Sequence, residues 1–146
     1  MKLRNVWVIF SILALACLLC SQVSAGENID YFNNSTKISF EGVDFMIPEG
    51  FGEYKDVEKF TGLGSDGKTT SYINETNGKI VITVISDWMG ISVDEFKTNN
   101  SKKATIDGHS GWKYREDDLH YFGYVDGDNG ILIGVTNETI LYEVVL

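Results

Sequence analysis

The strongest structural signals in the chain lie in residues 77–100, NGKIVITVISDWMGISVDEFKTNN. Asn77-Gly78 is a dipeptide typical of tight hairpin turns, because both residues tolerate a positive φ. The β-branched run Ile80–Ile85 favours a strand over a helix. Its apolar side chains would point to both sides of a sheet, so we expect a central strand that is covered on two faces.

A short helix is predicted after this strand. Ser92 and Glu95 have the spacing of a capping box, and Ile91 and Phe96 have the spacing of a hydrophobic staple. Both signals mark a helix N-terminus. The sequence therefore favours a capped helix that ends before the turn-forming residues 99–101.

Apolar runs elsewhere in the chain predict further strands. The runs are residues 37–40, 43–47, 69–73, 103–106, 112–115, 119–125 and 131–136. Residues 54–60 fit either a helical turn or irregular coil, and residues 140–146 fit either a strand or a helix. We therefore expect an α+β fold, with an antiparallel sheet of about six to eight short strands packed by one or two short helices.

Residues 1–25 have the pattern of a cleaved signal peptide, with a basic start, an uncharged apolar core and a small-residue cleavage site that ends at Ala25. The apolar core is shorter than the roughly 20 residues that cross a bilayer. We therefore expect an exported chain with no membrane span after cleavage. The alternative is membrane anchoring through an uncleaved N-terminus, or through a lipid on Cys17 or Cys20.

The rest of the chain is long enough for one domain. Residues 26–36 are polar and aperiodic, which is typical of a flexible N-terminal tether. Residues 37–146 are predicted to form a single α+β domain. Both cysteines lie in residues 1–25, so the mature domain has no disulfide and no thiolate chemistry.

The charge balance excludes one class of partner. The whole chain has 12 basic and 21 acidic residues, and signal cleavage removes two of the basic ones. A strongly negative domain repels phosphate backbones, and the basic residues are scattered, with only Lys102 and Lys103 adjacent. We therefore expect no nucleic-acid binding.

Residues 62–69, GLGSDGKT, match the phosphate-binding P-loop pattern. A P-loop follows a buried parallel strand and opens a helix, but the preceding residues are charged and the following ones are predicted to form a strand. The next apolar run also begins too soon after Lys68 to leave room for the helix of a parallel crossover. The sequence favours a glycine-rich turn.

Residues 126–130, DGDNG, resemble the start of a calcium loop. An EF-hand needs a glycine at position 6 and a glutamate at position 12. Here the glycine is at position 5 and position 12 is Asn137, which excludes an EF-hand. A low-affinity, irregular calcium site at Asp126, Asp128 and Asn129 is one hypothesis, and a plain hairpin turn is the other.

Acidic residues and the chain's two histidines lie near each other in sequence. Asp118 and His120 would share a face of one strand, and His109 and Asp117 are the other candidates for an acid–base or metal-assisted hydrolase. Proximity in sequence is no evidence of a catalytic group. Polar turn residues are the simpler interpretation, so we predict no catalytic residue and no cofactor.

Two further features concern partners and modification. Trp88 lies between the predicted strand and helix, where it either covers the core or is exposed to a partner, and Trp112 is expected to be in the core. Asparagines in the glycosylation pattern N-x-[ST] are Asn33, Asn34, Asn74, Asn99 and Asn137. On an exported chain they are candidate glycan sites in surface loops.

Residues 38–51, ISFEGVDFMIPEGF, and 105–112, TIDGHSGW, resemble segments of small, largely uncharacterised exported proteins of methanogenic archaea. The order of elements is similar, more distantly, to the PsbP/Mog1-like α+β sandwich. The resemblance implies this fold and a location at the cell envelope. It implies no activity and no functional residues.

These observations favour a non-enzymatic extracytoplasmic domain that binds a protein or glycan of the cell envelope. The two alternative hypotheses are a small extracytoplasmic hydrolase and a calcium-stabilised surface module.

Overall fold

In the computed structural model, the described residues are 28–62, 65–87, 90 and 92–146. The predicted signal peptide and the alternative N-terminal anchor therefore lie outside the described residues, as does Trp88. Among the residues that are described, no helix is both long enough and apolar enough to cross a membrane.

The described residues form nine β-strands, two 3-10 helices and one α-helix. The strands are β1 (Thr36–Phe40), β2 (Val43–Ile47), β3 (Phe51–Gly62), β4 (Ser65–Asn74), β5 (Lys79–Ile85), β6 (Lys102–Ile106), β7 (His109–Glu116), β8 (Leu119–Asp126) and β9 (Asn129–Val135). The 3-10 helices are η1 (Val93–Phe96) and η2 (Glu138–Ile140), and the α-helix is α1 (Leu141–Val144). β1 and β2 form a separate hairpin, and the other seven strands form one antiparallel sheet in the order β3-β4-β5-β9-β8-β7-β6.

The predicted antiparallel sheet is confirmed, but the α+β prediction overestimated the helix content. The fold is largely β, with one short α-helix. The helix predicted after Ser92 is the single turn η1. Ser92 does cap it, since its Oγ accepts a hydrogen bond from the Asp94 N–H at 3.2 Å. The turn ends at Lys97, whose backbone is extended, because the residues that follow favour turns over helix.

The predicted β4–β5 hairpin is confirmed, but its connection has four residues instead of two. Asn77 has a φ of +63°, as the turn prediction requires, whereas Gly78 is not among the positive-φ residues. Asn74 accounts for the longer loop, because its Oδ1 accepts hydrogen bonds from the backbone N–H groups of Thr76 and Gly78. This side chain replaces ladder hydrogen bonds that a two-residue turn would have made.

The two stretches for which the sequence left alternatives open have a defined structure. Residues 54–60, for which a helical turn or coil was expected, belong to strand β3, and the pairing with β4 shifts register between Tyr54 and Glu58. Tertiary pairing therefore overrides the local pattern. The end of the chain is helical at α1, and Val145 then makes a bridge to Phe45 of β2.

One face of the sheet, here called the hairpin face, is covered by the β1–β2 hairpin and α1. Its buried apolar residues include Phe45 and Ile47 from the hairpin, Leu141 and Val144 from α1, and Ile80, Ile82, Val84, Phe122, Ile131 and Ile133 from the sheet. Burial of this many large side chains supplies the main hydrophobic core.

The opposite face, here called the crossing face, lies under η1, which belongs to the connection between β5 and β6. Phe96 of η1 is fully buried there with Val81, Tyr121 and Leu132. The ring of Phe96 lies over Gly123 of β8, which provides the space that a side chain would fill. Since β5 contributes buried residues to both faces, the prediction of a central strand covered on two sides is confirmed.

The N-terminal segment before β1 contacts the domain more closely than a loose tether requires. The Phe32 N–H donates to the Phe51 carbonyl at 2.8 Å, and the Gly50 N–H donates to the Phe32 carbonyl at 2.9 Å. Phe32 also packs against the core of the hairpin face. The end of the predicted tether is therefore attached to β3, and β1 begins at Thr36.

Gly52 permits this attachment, and its replacement by alanine is expected to detach the segment. A Cβ at position 52 would lie 2.4 Å from Ile29 Cγ2 and 2.7 Å from the Asp30 carbonyl oxygen. We expect Gly52→Ala to lower the free energy of unfolding by about 1–2 kcal/mol. It should also raise the exchange rate of the Phe32 amide, measured by hydrogen exchange. An unchanged Phe32 exchange rate in this variant would contradict the described contact.

Candidate binding site at the β6 edge

β6 forms one outer edge of the seven-stranded sheet. It pairs with β7 from Lys102 opposite Lys113 to Ile106 opposite His109. Within the described part of the chain, no strand pairs with its other side. An edge strand of this kind presents backbone N–H and C=O groups that can pair with another chain.

Trp112 of β7 lies beside this edge on the crossing face. It is 8% exposed, and it lies directly opposite Lys103 in the β6–β7 pairing. Its indole N–H donates a hydrogen bond of 3.0 Å to Asp94 Oδ1 in η1. The Nζ atoms of Lys97 and Lys103 lie 4.9 Å and 5.6 Å from the centre of the ring. Both are within cation–π range, so η1, the residue that follows it and β6 all contact one indole.

A cleft of about 280 Å³ opens beside the indole. Its lining residues are Val93, Lys103, Ala104, Thr105, Ser110, Gly111 and Trp112. The hydroxyl oxygens of Thr105 and Ser110 are 3.3 Å apart. The cleft therefore combines an apolar floor with hydroxyl groups and a lysine at its rim, a lining suited to a small side chain next to a negative charge.

The charge of this region differs from that of the rest of the chain. Residues 97–115 contain five of the 12 basic residues and one acidic residue, Asp107, while the rest of the chain has seven basic and 20 acidic residues. The sequence interpretation of scattered basic residues was therefore incomplete. The fold brings Lys97 and Lys103 together over Trp112, whereas Lys102, which is opposite Lys113, belongs to the hairpin face.

On the hairpin face, the neighbouring lysine is already paired. Lys113 Nζ donates hydrogen bonds to Glu138 Oε1 and, at 3.1 Å, to Tyr142 Oη. This hydrogen bond from Lys113 holds the pKa of Glu138 below its ordinary value, and the same bond raises the pKa of Lys113. His120 Nδ1 lies 3.8 Å from Glu138 Oε2. Lys113 is therefore held by partners on its own face, whereas Lys97 and Lys103 lie over the Trp112 ring on the crossing face.

The structure separates one of the candidate hydrolase residues, His109, from the other three. His109 begins β7 and contacts the Leu146 carbonyl oxygen through Nε2 at 2.9 Å. Asp117 and Asp118 lie in the turn at the other end of β7, and His120 pairs opposite Arg115 near that end. At about 3.3 Å per strand residue, His109 and His120 are roughly 20 Å apart. No acid–base pair joins the two histidines.

The two loop motifs both occur in hairpins. Asp126 and Asn129 are paired at the β8–β9 turn, and across the described residues no three His, Cys, Asp or Glu side chains could hold a metal ion together. The calcium hypothesis stays a prediction. The P-loop motif lies across the β3–β4 hairpin, where Lys68 Nζ donates to Glu41 Oε1 at 2.7 Å. Thr69 is buried, with its Oγ1 2.9 Å from Thr83 Oγ1, so neither side chain is placed for a nucleotide.

A second cleft, of about 380 Å³, lies at the end of the sheet near the N-terminal segment. Its lining residues are Tyr31, Phe32, Asn33, Glu49, Gly50, Asn74, Glu75 and Thr76. Two asparagines of the glycosylation pattern, Asn33 and Asn74, therefore border the same cleft.

The candidate site was missed because the aromatic signal was ambiguous. Trp88 was the predicted partner-binding residue, and Trp112 was expected to be in the core. Trp112 is indeed mostly buried, but it also forms a wall of the cleft. The sequence signal that could have indicated this site was the concentration of basic residues in 97–115, around Trp112.

Comparisons with protein-family models, with curated proteins and with solved structures found no match for this chain. The resemblance to exported archaeal proteins and to the PsbP/Mog1-like fold therefore stays a prediction. The function is inferred from the geometry of the β6 edge.

Proposed function

We propose that this protein is a non-enzymatic, extracytoplasmic binding domain that holds an extended, acidic segment of another cell-envelope protein along β6. The observation that carries the proposal is the pair of lysines over Trp112 beside an edge strand. The extracytoplasmic location follows from the signal-peptide pattern of residues 1–25 and from the resemblance to exported proteins.

The backbone of β6 supplies the first part of the interaction. An extended segment that pairs with an edge strand gains main-chain hydrogen bonds regardless of its sequence. Successive side chains of the added strand would point to alternate faces of the sheet. Every second side chain would therefore lie on the crossing face, next to Lys103 and Thr105.

The side chains on the crossing face supply the specificity. Residues directly opposite each other on neighbouring strands have Cβ atoms about 5 Å apart. A carboxylate opposite Lys103 would therefore be within reach of its ammonium group, and Lys97 Nζ lies 4.9 Å from the centre of the same indole ring. A small apolar side chain two residues along would be next to the cleft beside Thr105 and Ser110.

Lysine on an edge strand also acts against unwanted pairing. Two copies of β6 paired in parallel and in register would place Lys102 and Lys103 next to the same residues of the other copy, which is repulsive. The same charges attract an acidic strand. The edge therefore favours an acidic partner over a second copy in the same orientation.

The test uses a synthetic seven-residue peptide of alternating glutamate and valine, titrated into the domain by calorimetry. We expect saturable binding that weakens as salt is added, because the charges are near the surface. Reversing both charges in Lys97→Glu/Lys103→Glu should weaken binding by about 10- to 100-fold. Amide protection of residues 102–106 should increase when the peptide binds, as measured by hydrogen exchange.

The matched control is Lys37→Glu/Lys68→Glu, which changes the net charge equally. These lysines pair with Asp44 and Glu41 on the β1–β2 hairpin, away from β6. Equal weakening in both double variants would show that overall charge, and not the β6 edge, attracts the peptide. Absence of peptide binding, or binding of a neutral oligosaccharide instead, would overturn the proposal. Unfolding curves of each variant verify that the comparison is made on folded protein.

A further inference from the structure

Two of the five glycosylation patterns adopt the same local turn. In each, the asparagine Oδ1 accepts hydrogen bonds from the backbone N–H and the hydroxyl of the threonine two residues later. The distances are 3.1 and 3.0 Å between Asn74 and Thr76, and also 3.1 and 3.0 Å between Asn137 and Thr139. The hydroxyl group that the glycosylation pattern requires is therefore next to the amide at both sites.

The surroundings of the two amides differ. Asn137 is exposed, between β9 and η2. Asn74 is half-buried, and its Oδ1 accepts a third hydrogen bond, from the Gly78 N–H at 2.6 Å. A Cβ placed on Gly78 would lie only 2.5 Å from Asn74 Nδ2, so this nitrogen is close against the backbone of the loop. A sugar on Nδ2 would displace that backbone.

Two of the other patterns have their hydroxyl group occupied. Thr36 Oγ1 donates to the backbone carbonyl of Asn34 at 2.9 Å. Ser101 Oγ, which completes the pattern at Asn99, donates to the Thr98 carbonyl at 2.8 Å. The pattern at Asn33 overlaps with that at Asn34, and Asn33 borders the 380 Å³ cleft. At Asn137, by contrast, the residue is exposed and the Thr139 hydroxyl donates its hydrogen bond to the asparagine amide itself.

We infer that Asn137 is the N-glycosylated residue of this protein and that Asn74 is left unmodified. The co-reactant is a lipid-linked sugar phosphate, brought by a membrane glycosyltransferase on the outer side of the membrane. The Asn137 Nδ2–C1 bond forms as the C1–O bond to phosphate breaks. The phosphate leaves with the electron pair, and the proton lost from Nδ2 passes to a base of the glycosyltransferase. The modified amide keeps Oδ1 and one N–H, so the two hydrogen bonds that Oδ1 accepts from Thr139 can persist.

A glycan at this position is compatible with the proposed binding site. Glu138, the next residue, bonds to Lys113 on the hairpin face, whereas the Trp112 cleft lies on the crossing face. A bulky, hydrophilic group at Asn137 would therefore shield the α1 side of the domain. The inference depends on export but not on the nature of the partner.

The test is the intact mass and glycopeptide spectrum of the protein isolated from the envelope fraction of the cells that naturally produce it. We expect a mass above that of the chain, lost in Asn137→Gln and in Thr139→Ala. Thr139→Ser, which preserves the pattern, and Asn74→Gln should both retain the added mass. A wild-type chain without added mass overturns the inference. Modification of Asn74 to the same extent also overturns it, because the folded geometry would then not select the site.

Discussion

Replacing Phe96 by alanine is expected to lower the free energy of unfolding by about 3–5 kcal/mol. Phe96 is 0% exposed, and it is the only buried residue of η1. Truncation removes its apolar contacts with the crossing face and leaves a cavity over β8. The turn would then be held against the sheet only by the half-buried Val93 and by the hydrogen bond between Trp112 and Asp94.

Equilibrium unfolding in urea measures this effect, with far-UV circular dichroism as the signal. The matched control is Glu95→Ala in the same turn. Its side chain is only half-buried, and the expected change is within about 0.5 kcal/mol. A loss below about 1 kcal/mol for Phe96→Ala would contradict the burial of η1 on the sheet.

Gly123→Ala is expected to lower the free energy of unfolding by about 3 kcal/mol, the upper part of the usual range for overpacking. A Cβ at position 123 would lie 2.4 Å from Cγ and 2.6 Å from Cβ of Phe96. Because Phe96 Cβ is next to the backbone, rotation of the ring cannot relieve the overlap, and η1 itself must move. A single added methyl group is therefore expected to displace η1 and with it the connection between β5 and β6.

The two variants should be strongly coupled. In a Phe96→Ala background the overlaps with the ring atoms are gone, and only the 2.6 Å approach to the Cβ of residue 96 remains, which a small shift of the loosened turn η1 can relieve. We therefore expect the double variant to be at least about 2 kcal/mol more stable than the sum of the single effects predicts. Gly52→Ala is the control, because its added methyl group meets Ile29 and Asp30 and not Phe96. Its effect on the free energy of unfolding should simply add to that of Phe96→Ala. Additive effects of Phe96→Ala and Gly123→Ala would contradict the described contact.

The strands and tight turns could be predicted because local chemistry decides them. Glu41-Gly42 has φ angles of +51° and +80° between β1 and β2, and Asp107-Gly108 has +45° and +83° between β6 and β7. Dipeptides that tolerate these angles, between alternating or β-branched runs, are recognisable in any single sequence. The register of each hairpin then follows from its turn.

The sheet order and the candidate site depend on contacts between distant residues, so the sequence could not predict them. No local pattern indicates that β5 pairs with β9 rather than with β6. The Trp112 indole contacts three side chains: Asp94 in η1, Lys97 directly after η1, and Lys103 in β6. Each of these residues alone looks like an ordinary surface position. Only the path of the β5–β6 connection across the sheet makes them neighbours.

That same topology determines when the domain can complete its folding. β3, β4 and β5 form one run of neighbouring strands, and β6 to β9 form the other. The runs are joined where Ile80 pairs with Val135 and Ile85 pairs with Gly130. β9 is made last among the nine strands, yet it occupies the middle of the sheet. A growing chain therefore keeps the inner edges of β5 and β8 unpaired until synthesis reaches residues 129–135. Such long-range closure is intrinsically slow, which leaves the nascent chain unfolded for longer than a fold built from local contacts.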